Sequence, residues 1–197
     1  MSAYATQRAA YAAVFNAWGV DFPDADDGTI PCNFAPSAGL QCLSRTGTWS
    51  DIRTLNLPVV LELWDSGEAP FYGAVTALSG NLATLHLGAR QLQIDLERLR
   101  DRWFGRYVVL WQMPPDYHGN LNRGDRHPSV RWLRQQLETL SDRRIPGTAA
   151  DLFDADLQAA VVTFQRDESL LADGIVGPET WIRLADRLDL PAPQLEP

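Results

Sequence analysis

Hydrophobic positions recur at helical spacing in the C-terminal part of the chain. Three sets of apolar residues step by three and four, and each set forms one stripe along a helix. Between the second and third sets, an Asp173-Gly174 turn precedes Gly177-Pro178, a pair that starts a helix. The pattern therefore predicts a compact bundle of three helices. The sets are Val130, Leu133, Leu137 and Leu140; Leu157, Val161 and Phe164; and Trp181, Leu184 and Leu188.

The N-terminal part has a different pattern, in which helices alternate with short strands. A helical stripe ends at Gly19, and Thr48 with Asp51 three residues later predicts the start of a second, short helix. Short turns join several strand-like runs, as in antiparallel hairpins. We predict an α+β domain with an antiparallel sheet. The stripe is Tyr11, Val14, Phe15 and Trp18; the strands are 59–64, 72–78, 82–87, 91–94 and 106–111; and Leu96, Leu99 and Trp103 indicate a helical turn.

Prolines and glycine mark the boundary between these two parts. Pro114-Pro115 and Gly119-Asn120 cannot continue a sheet or a helix. We therefore divide the chain into an α+β domain at 1–113, a linker at 114–122 and a helical domain at 123–190. The tail at 190–197 is rich in proline and is predicted to be frayed.

Charge and composition exclude several classes of function. The net charge is −8 and all 17 cationic side chains are arginine. A nucleic-acid or anionic membrane surface needs clustered positive charge, so we expect neither partner within this chain. The absence of lysine excludes a P-loop and a Schiff base. No apolar run is long enough to cross a bilayer, and we expect any export signal or anchor to lie on sequence outside this chain.

Candidate metal ligands are spaced poorly. The three histidines, His86, His118 and His127, lack the spacing of a zinc site with one another or with the cysteines. The acidic run at Asp24, Asp26 and Asp27 lacks the ligand spacing of a calcium loop, and we interpret it as a solvated loop. We predict no metal site and no cofactor.

The helical domain carries a set of motifs in a fixed order. They are Gly124-Asp125, Ser129 to Leu137, Phe153, Ala159 to Gln165, and Asp173 to Thr180. In this order they resemble the type 1 peptidoglycan-binding domain of bacterial cell-wall proteins. The resemblance implies a three-helix fold and non-covalent binding of peptidoglycan through its stem peptides. The same residues also build the core and turns of such a domain. The implied binding residues are Asp173, Gly174, Ile175, Val176, Gly177 and Thr180.

The N-terminal domain also carries motifs in a fixed order. They are Cys32 with Ala35, Gly39 to Leu43, Gly47-Thr48-Trp49, Leu57 to Leu61, Trp103-Phe104-Gly105, Val109 to Trp111 and Pro114-Pro115. In this order they resemble a reduced form of the papain-like fold of double-glycine-leader peptidases. Followed by a peptidoglycan-binding domain, the N-terminal domain is similar to the periplasmic region of the general secretion pathway protein A family of type II secretion. The resemblance implies a periplasmic location, an inner-membrane anchor outside this chain, and a role in assembling the secretin with general secretion pathway protein B.

The catalytic pattern of the peptidase relatives is incomplete in this sequence. Those enzymes need a nucleophilic cysteine, a histidine to take its proton and an acid to orient the histidine. Cys32 lies near the nucleophile's place, but Phe71-Tyr72 stand where the histidine is expected. His86 lies on the strand where the orienting acid is expected. Since a thiol without a base is only a few per cent thiolate at neutral pH, we predict no catalytic residue and no enzyme activity.

The two cysteines and the overall role each leave alternatives open. An even pair of cysteines in an exported domain commonly forms a bridge, so we favour a Cys32–Cys42 disulfide over a reactive thiol. The favoured function is a non-catalytic adaptor that binds peptidoglycan. The alternatives are a cysteine peptidase that uses Cys32, and a pure interaction or homo-oligomerisation module without wall binding.

Overall fold

The computed structural model of the chain describes residues 3–23, 28–65 and 69–196. The acidic run at Asp24, Asp26 and Asp27 lies outside these residues. The chain separates into two compact units. Unit 1 comprises residues 1–112 together with 192–197, and unit 2 comprises residues 113–191. In sequence, segments of unit 1 therefore precede and follow unit 2.

Unit 1 contains a six-stranded sheet. Its order is β1-β6-β2-β3-β4-β5, and every neighbouring pair is antiparallel. Strands β1 and β5 therefore form the two edges. The predicted α+β class with an antiparallel sheet is confirmed. The strands are β1 (Leu40–Thr46), β2 (Val59–Leu63), β3 (Phe71–Ser79), β4 (Leu82–Leu87), β5 (Arg90–Asp95) and β6 (Trp103–Gln112).

The described helices of unit 1 are α1 (Ala3–Ala17), α2 (Pro31–Phe34) and α3 (Trp49–Leu55). The predicted stripe of α1 packs against the sheet, with Phe15 in one buried cluster with Val60 and Leu110. Helix α3 begins at the predicted cap. The Thr48 hydroxyl accepts from the Asp51 N–H, and the Asp51 carboxylate accepts from the Thr48 N–H. This reciprocal pair is a capping box.

Strand β1 is absent from the sequence prediction. It pairs with β6 along its whole length, from Leu40 opposite Gln112 to Thr46 opposite Arg106. Leu40 is buried, but the last three residues of the strand are all exposed. The alternation of buried and exposed residues that is typical of a half-buried strand is therefore lost. The predicted helical turn at Leu96, Leu99 and Trp103 is correct only for 96–99, because Trp103 begins β6.

The prediction of a frayed tail is wrong. Leu195 is fully buried in unit 1. Its N–H donates to the Asn56 carbonyl at 3.1 Å, and its carbonyl accepts from the Leu78 N–H at 2.7 Å. The partners lie far away in sequence, so no local pattern in a proline-rich segment could have indicated them.

Unit 2 contains the predicted three helices, α4 (Pro128–Ser141), α5 (Ala155–Asp167) and α6 (Pro178–Arg187). Leu121 lies in the predicted linker, yet it is fully buried and exchanges two backbone hydrogen bonds with Val176, at 3.0 and 3.1 Å. The segment just before α4 is thus packed on the loop that precedes α6. The buried members of the predicted stripes are Val130, Leu133, Leu137, Leu157, Val161, Trp181 and Leu184.

A buried arginine ties the long α4–α5 loop to its helix. Arg134 donates to the carbonyls of Ile145, Pro146 and Leu152, and it pairs with the Asp154 carboxylate at 2.8 Å. Asp154 also caps α5, because its other oxygen accepts from the Leu157 N–H at 2.9 Å. The Arg134 side chain thus ties the loop to α4, while the buried Phe153 anchors it in the core.

Candidate functional site

The two cysteines are joined. Cys32 and Cys42 form a disulfide with their Cα atoms 5.6 Å apart. Cys32 lies in α2, which Pro31 opens at a position where its missing N–H is not needed. Cys42 lies in β1. The sequence prediction of a bridge therefore agrees with the structure, and a sulfur held in a disulfide is not the thiolate that acts as a nucleophile.

Two tyrosines lie at or near the positions where the peptidase resemblance leads one to expect the nucleophile and the histidine. The Tyr11 hydroxyl lies 3.7 Å from the Cys32 sulfur. Tyr72, the second residue of β3, donates its N–H to the Thr6 hydroxyl at 3.2 Å. Burial, reinforced by Tyr72, raises the pKa of Tyr11 to about 12. Burial and then Glu62 raise the pKa of Tyr72, although Arg106 opposes the shift. Both phenols therefore keep their protons at neutral pH.

His86 is engaged with a different partner from Cys32. It lies in β4 opposite Ala74 of β3, and its Nε2 atom is 2.9 Å from the Thr76 hydroxyl. Burial lowers the pKa of His86, so the neutral ring is favoured. The histidine and the cysteine sulfur thus each have a partner of their own.

An open cleft of about 470 Å³ lies beside these tyrosines in unit 1. Gln7 and Tyr11 of α1 line one side, and Glu62, Tyr72 and Arg106 of the sheet line the other. Arg106 Nη1 lies 3.7 Å from Glu62 Oε1, and the arginine remains largely exposed. The cleft therefore offers a polar ligand a negatively charged acceptor on Glu62 and positively charged donors on Arg106.

In unit 2, four of the six predicted binding residues contact one buried glutamine. The Gln165 Nε2 atom of α5, with two N–H donors, lies within hydrogen-bond distance of three acceptors: Asp173 Oδ1 at 3.2 Å, the Ile175 carbonyl at 2.9 Å and the Thr180 hydroxyl at 3.2 Å. The side-chain carbonyl oxygen of Gln165 accepts from the Gly174 N–H at 2.9 Å. Asp173 Oδ1 also accepts from the Ile175 N–H at 2.8 Å. Of the six predicted residues, Gln165 therefore brings together four, Asp173, Gly174, Ile175 and Thr180, while Val176 is bonded to Leu121.

The six predicted binding residues differ in exposure. Gly174, Val176 and Thr180 are buried, whereas Asp173 and Ile175 are exposed. Gly174 has a φ of +74°, and a Cβ atom there would lie 2.9 Å from the Gln158 side chain. The first group holds the loop in shape, while the second presents atoms to solvent.

Gly177 has no structural need to be glycine. Its φ of −98° is accessible to any residue, and the nearest atom to an added Cβ is 3.6 Å away. It stands immediately before Pro178 at the start of α6. A glycine without a conformational reason leaves open space, which a ligand could use to approach the backbone.

Two features of unit 2 escaped the sequence analysis. One is the role of Gln165, whose polar side chain gives no reason to expect burial at the end of a helical stripe. The other is an open groove of about 410 Å³, lined by Leu140, Phe164, Arg144 and Asp167 among others. Phe164 belongs to a predicted core stripe but is only half-buried, since it forms part of this groove.

The described residues contain no group of three or more histidine, cysteine, aspartate or glutamate side chains placed to hold a metal ion. In the same residues, none of the helices combines the length and the apolar character that spanning a membrane requires.

Each of the two units matches a different protein-domain family. Residues 1–113 match the family of the GspA peptidase C39-like domain, which is more than half of the sequence. The chain belongs to this GspA family. Residues 126–184 match the peptidoglycan-binding domain family. The two matches occur in the order that the sequence analysis predicted.

Relatives extend the similarity over nearly the whole chain. It is 30% identical over 183 residues to general secretion pathway protein A of Aeromonas hydrophila, covering 93% of this chain and 32% of that protein. A relative from Escherichia coli (strain K12) is 25% identical over 177 residues, covering 89% of this chain and 35% of the relative. The chain thus spans about a third of the length of the curated relatives it matches.

A solved structure supports the fold. The periplasmic domain of the EpsAB fusion protein of the Vibrio vulnificus type II secretion system is similar, with a TM-score of 0.58 at 23% identity. The similarity covers 97% of this GspA-family chain and 83% of the other.

Proposed function

We propose that this GspA-family chain is a non-catalytic periplasmic adaptor that binds peptidoglycan through unit 2 and assists assembly of the type II secretion secretin. The observation that carries the proposal is the Cys32–Cys42 disulfide in a peptidase-like unit that is joined to a peptidoglycan-binding unit. The bridge occupies the sulfur that a peptidase would use. Binding by unit 2 is then the principal biochemical activity of the chain.

The protonation states near Cys32 support a non-catalytic role for unit 1. A general base needs a pKa near the working pH. Tyr11, with a pKa raised to about 12, is a poor base for a thiol. Neutral His86 is hydrogen-bonded to Thr76 on its own sheet. Unit 1 therefore acts through contacts with other proteins, for which its open polar cleft is suited.

Compartment and partners follow from the relatives and the disulfide. Disulfides persist in oxidising compartments such as the periplasm. The Vibrio vulnificus neighbour is a periplasmic domain of a type II secretion system. The proposed partners are general secretion pathway protein B and the secretin. The inner-membrane anchor of the proposed adaptor lies on sequence outside this chain.

We assign peptidoglycan contact to the exposed edge of the 173–180 loop. Asp173 and Ile175 offer a carboxylate and an apolar side chain side by side, and Gly177 leaves the backbone open. Gly174, Val176 and Thr180 contribute by holding this edge through Gln165 and Leu121. Ile175 is 38% exposed, so contact with a ligand would remove apolar surface from water.

Sedimentation with purified peptidoglycan sacculi tests this assignment. Ile175→Ser is expected to weaken binding roughly fivefold, the equivalent of about 1 kcal/mol of lost apolar burial. Gly177→Ala is expected to weaken binding without lowering the melting temperature, because the added methyl group has room in the free protein. Phe104→Ser is the matched control, since Phe104 is an exposed apolar residue of unit 1. Equal binding by all three variants and the unmodified chain would refute the assignment.

A protein-interaction module without wall binding is the second candidate function. The open cleft of unit 1 favours it, because a polar cleft lined by Glu62 and Arg106 can recognise a peptide without help from unit 2. Failure of the folded, oxidised chain to sediment with sacculi would select this alternative.

A further inference from the structure

Residues 195–196, in the tail of the chain, occupy a slot in unit 1 that is formed by Arg53, Asn56 and Leu78. The slot binds the backbone of the tail as well as a side chain. Leu195 is fully buried, and its N–H and carbonyl bond to the Asn56 carbonyl and the Leu78 N–H. Glu196 forms an ion pair with Arg53 of α3. Every backbone polar group of Leu195 thus has a partner on unit 1.

Asn56 provides the most specific contact in the slot. Its side-chain oxygen accepts from the Glu196 N–H at 2.8 Å, and its side-chain nitrogen donates to the Glu196 carbonyl at 3.2 Å. The side-chain amide therefore pairs with one residue of the tail much as a neighbouring strand would.

The backbone of Asn56 is unusual in a way that fits this role. Asn56 caps α3 with a φ of +51°, a left-handed conformation most often taken by glycine. A glycine would end the helix equally well but could not bind the tail. The asparagine accepts local strain where its amide makes two hydrogen bonds to another segment.

The segment that occupies the slot is short and extended. Proline at 191 and 193 favours an extended backbone before Leu195. Only Leu195 and Glu196 make the contacts described above, so recognition depends on a leucine followed by an acidic residue. Two adjacent residues form a unit small enough to occur in other proteins.

We propose that Arg53, Asn56 and Leu78 form a peptide-binding slot for extended segments in which leucine precedes an acidic residue, and that residues 195–196 are its tethered occupant. A partner protein carrying the same pair must displace the tail to bind. Because the tail is attached to the same chain, it competes at an effective concentration on the order of millimolar. The slot uses none of the residues proposed to contact peptidoglycan.

The test is made on the whole 197-residue chain. Leu195→Asp replaces the buried leucine with a charge and is expected to release the tail, leaving the slot empty. An N-terminally fluorescein-labelled peptide with the sequence of residues 190–196, amidated at its C-terminus, is then titrated while fluorescence anisotropy is recorded. We expect saturable binding to the Leu195→Asp chain, and binding at least about tenfold weaker to the unmodified chain because its tail competes.

Two controls establish that the binding is in the slot. Adding Asn56→Asp to the Leu195→Asp chain keeps a residue tolerant of positive φ but replaces the amide donor, and binding is expected to weaken about tenfold or more. A peptide with aspartate in place of the leucine is expected not to bind. Absence of binding to the Leu195→Asp chain, or equal binding with and without Asn56→Asp, would overturn the proposal.

Folding of each variant is verified by circular dichroism and thermal unfolding. If Leu195→Asp does not fold, Glu196→Arg replaces it, since a second cation beside Arg53 also weakens the tail contact. The same pattern of peptide binding is expected with this variant, and its absence would count against the slot in the same way.

Discussion

Gln165 determines the shape of the loop that carries the proposed wall contacts. Its side-chain nitrogen is within hydrogen-bond distance of acceptors on Asp173, Ile175 and Thr180. Its side-chain oxygen accepts a hydrogen bond from the Gly174 N–H. The sequence allowed the loop motif to be recognised but not this residue's role. Helical spacing marks apolar faces, and it carries no information about a polar side chain that turns inward to bind a distant loop.

Replacing Gln165 with leucine tests this role. Gln165→Leu keeps the approximate volume but leaves the Gly174 N–H and the Thr180 hydroxyl without their buried partner. Each such group costs about 1–3 kcal/mol. We expect the free energy of unfolding of unit 2 to fall by about 2–4 kcal/mol in urea denaturation. Gln135→Leu on the exposed face of α4 is the control, and a similar loss there would contradict the interpretation.

His86 predicts a pH dependence of stability. Burial lowers its pKa in the folded state below the usual value near 6.5. Above about pH 7.5 both states hold a neutral ring, and the shift has no effect. As the pH falls through about 6.5, the unfolded chain binds the proton first, so the free energy of unfolding decreases.

The comparison that checks this effect is His86→Gln. Between pH 7.5 and pH 5, we expect the unmodified chain to lose more stability in urea denaturation than the variant does. The variant retains His118 and His127, so their contributions cancel in the comparison. Parallel curves for the two proteins would show that His86 has the same pKa in both states.

Among the elements, α2 and β1 are joined by the disulfide. Neither was predicted as a helix or strand, although their cysteines were predicted to pair. Helix α2 has four residues and none of them is buried. β1 lies at the sheet edge and loses its apolar alternation beyond Leu43. Such elements form because of partners elsewhere in the chain, so their own sequence does not predict them. The apolar stripes of α4 and α6 lie within each helix and predict it directly.

Reducing the disulfide is expected to destabilise unit 1. The bridge closes a loop with a sequence separation of 10. A loop of this length corresponds to roughly 3 kcal/mol in the chain-entropy treatment. We expect dithiothreitol to lower the melting temperature of the unmodified chain. The double variant Cys32→Ser with Cys42→Ser should show no response to the reductant, and an equal shift in both proteins would argue against a structural role for the bridge.

For the whole molecule, the order of domains and the family were predictable from sequence, because each motif is local. The sheet partner of β6 at the edge and the return of the tail to unit 1 were not. Asn56 and Glu196 are separated by 140 residues, and their contact consists of hydrogen bonds that leave no periodic pattern. Long-range polar contacts therefore mark the limit of what this sequence reveals about its fold.

The central proposal is that unit 2 binds the cell wall while unit 1 performs no hydrolysis. The most direct measurement incubates the oxidised chain with purified peptidoglycan sacculi, sediments them, and quantifies protein in the pellet and free amino groups in the supernatant. Binding without cleavage predicts protein in the pellet and amino groups at the level of a protein-free control. Protein that remains in the supernatant, or amino groups that rise with time, would contradict the proposed adaptor.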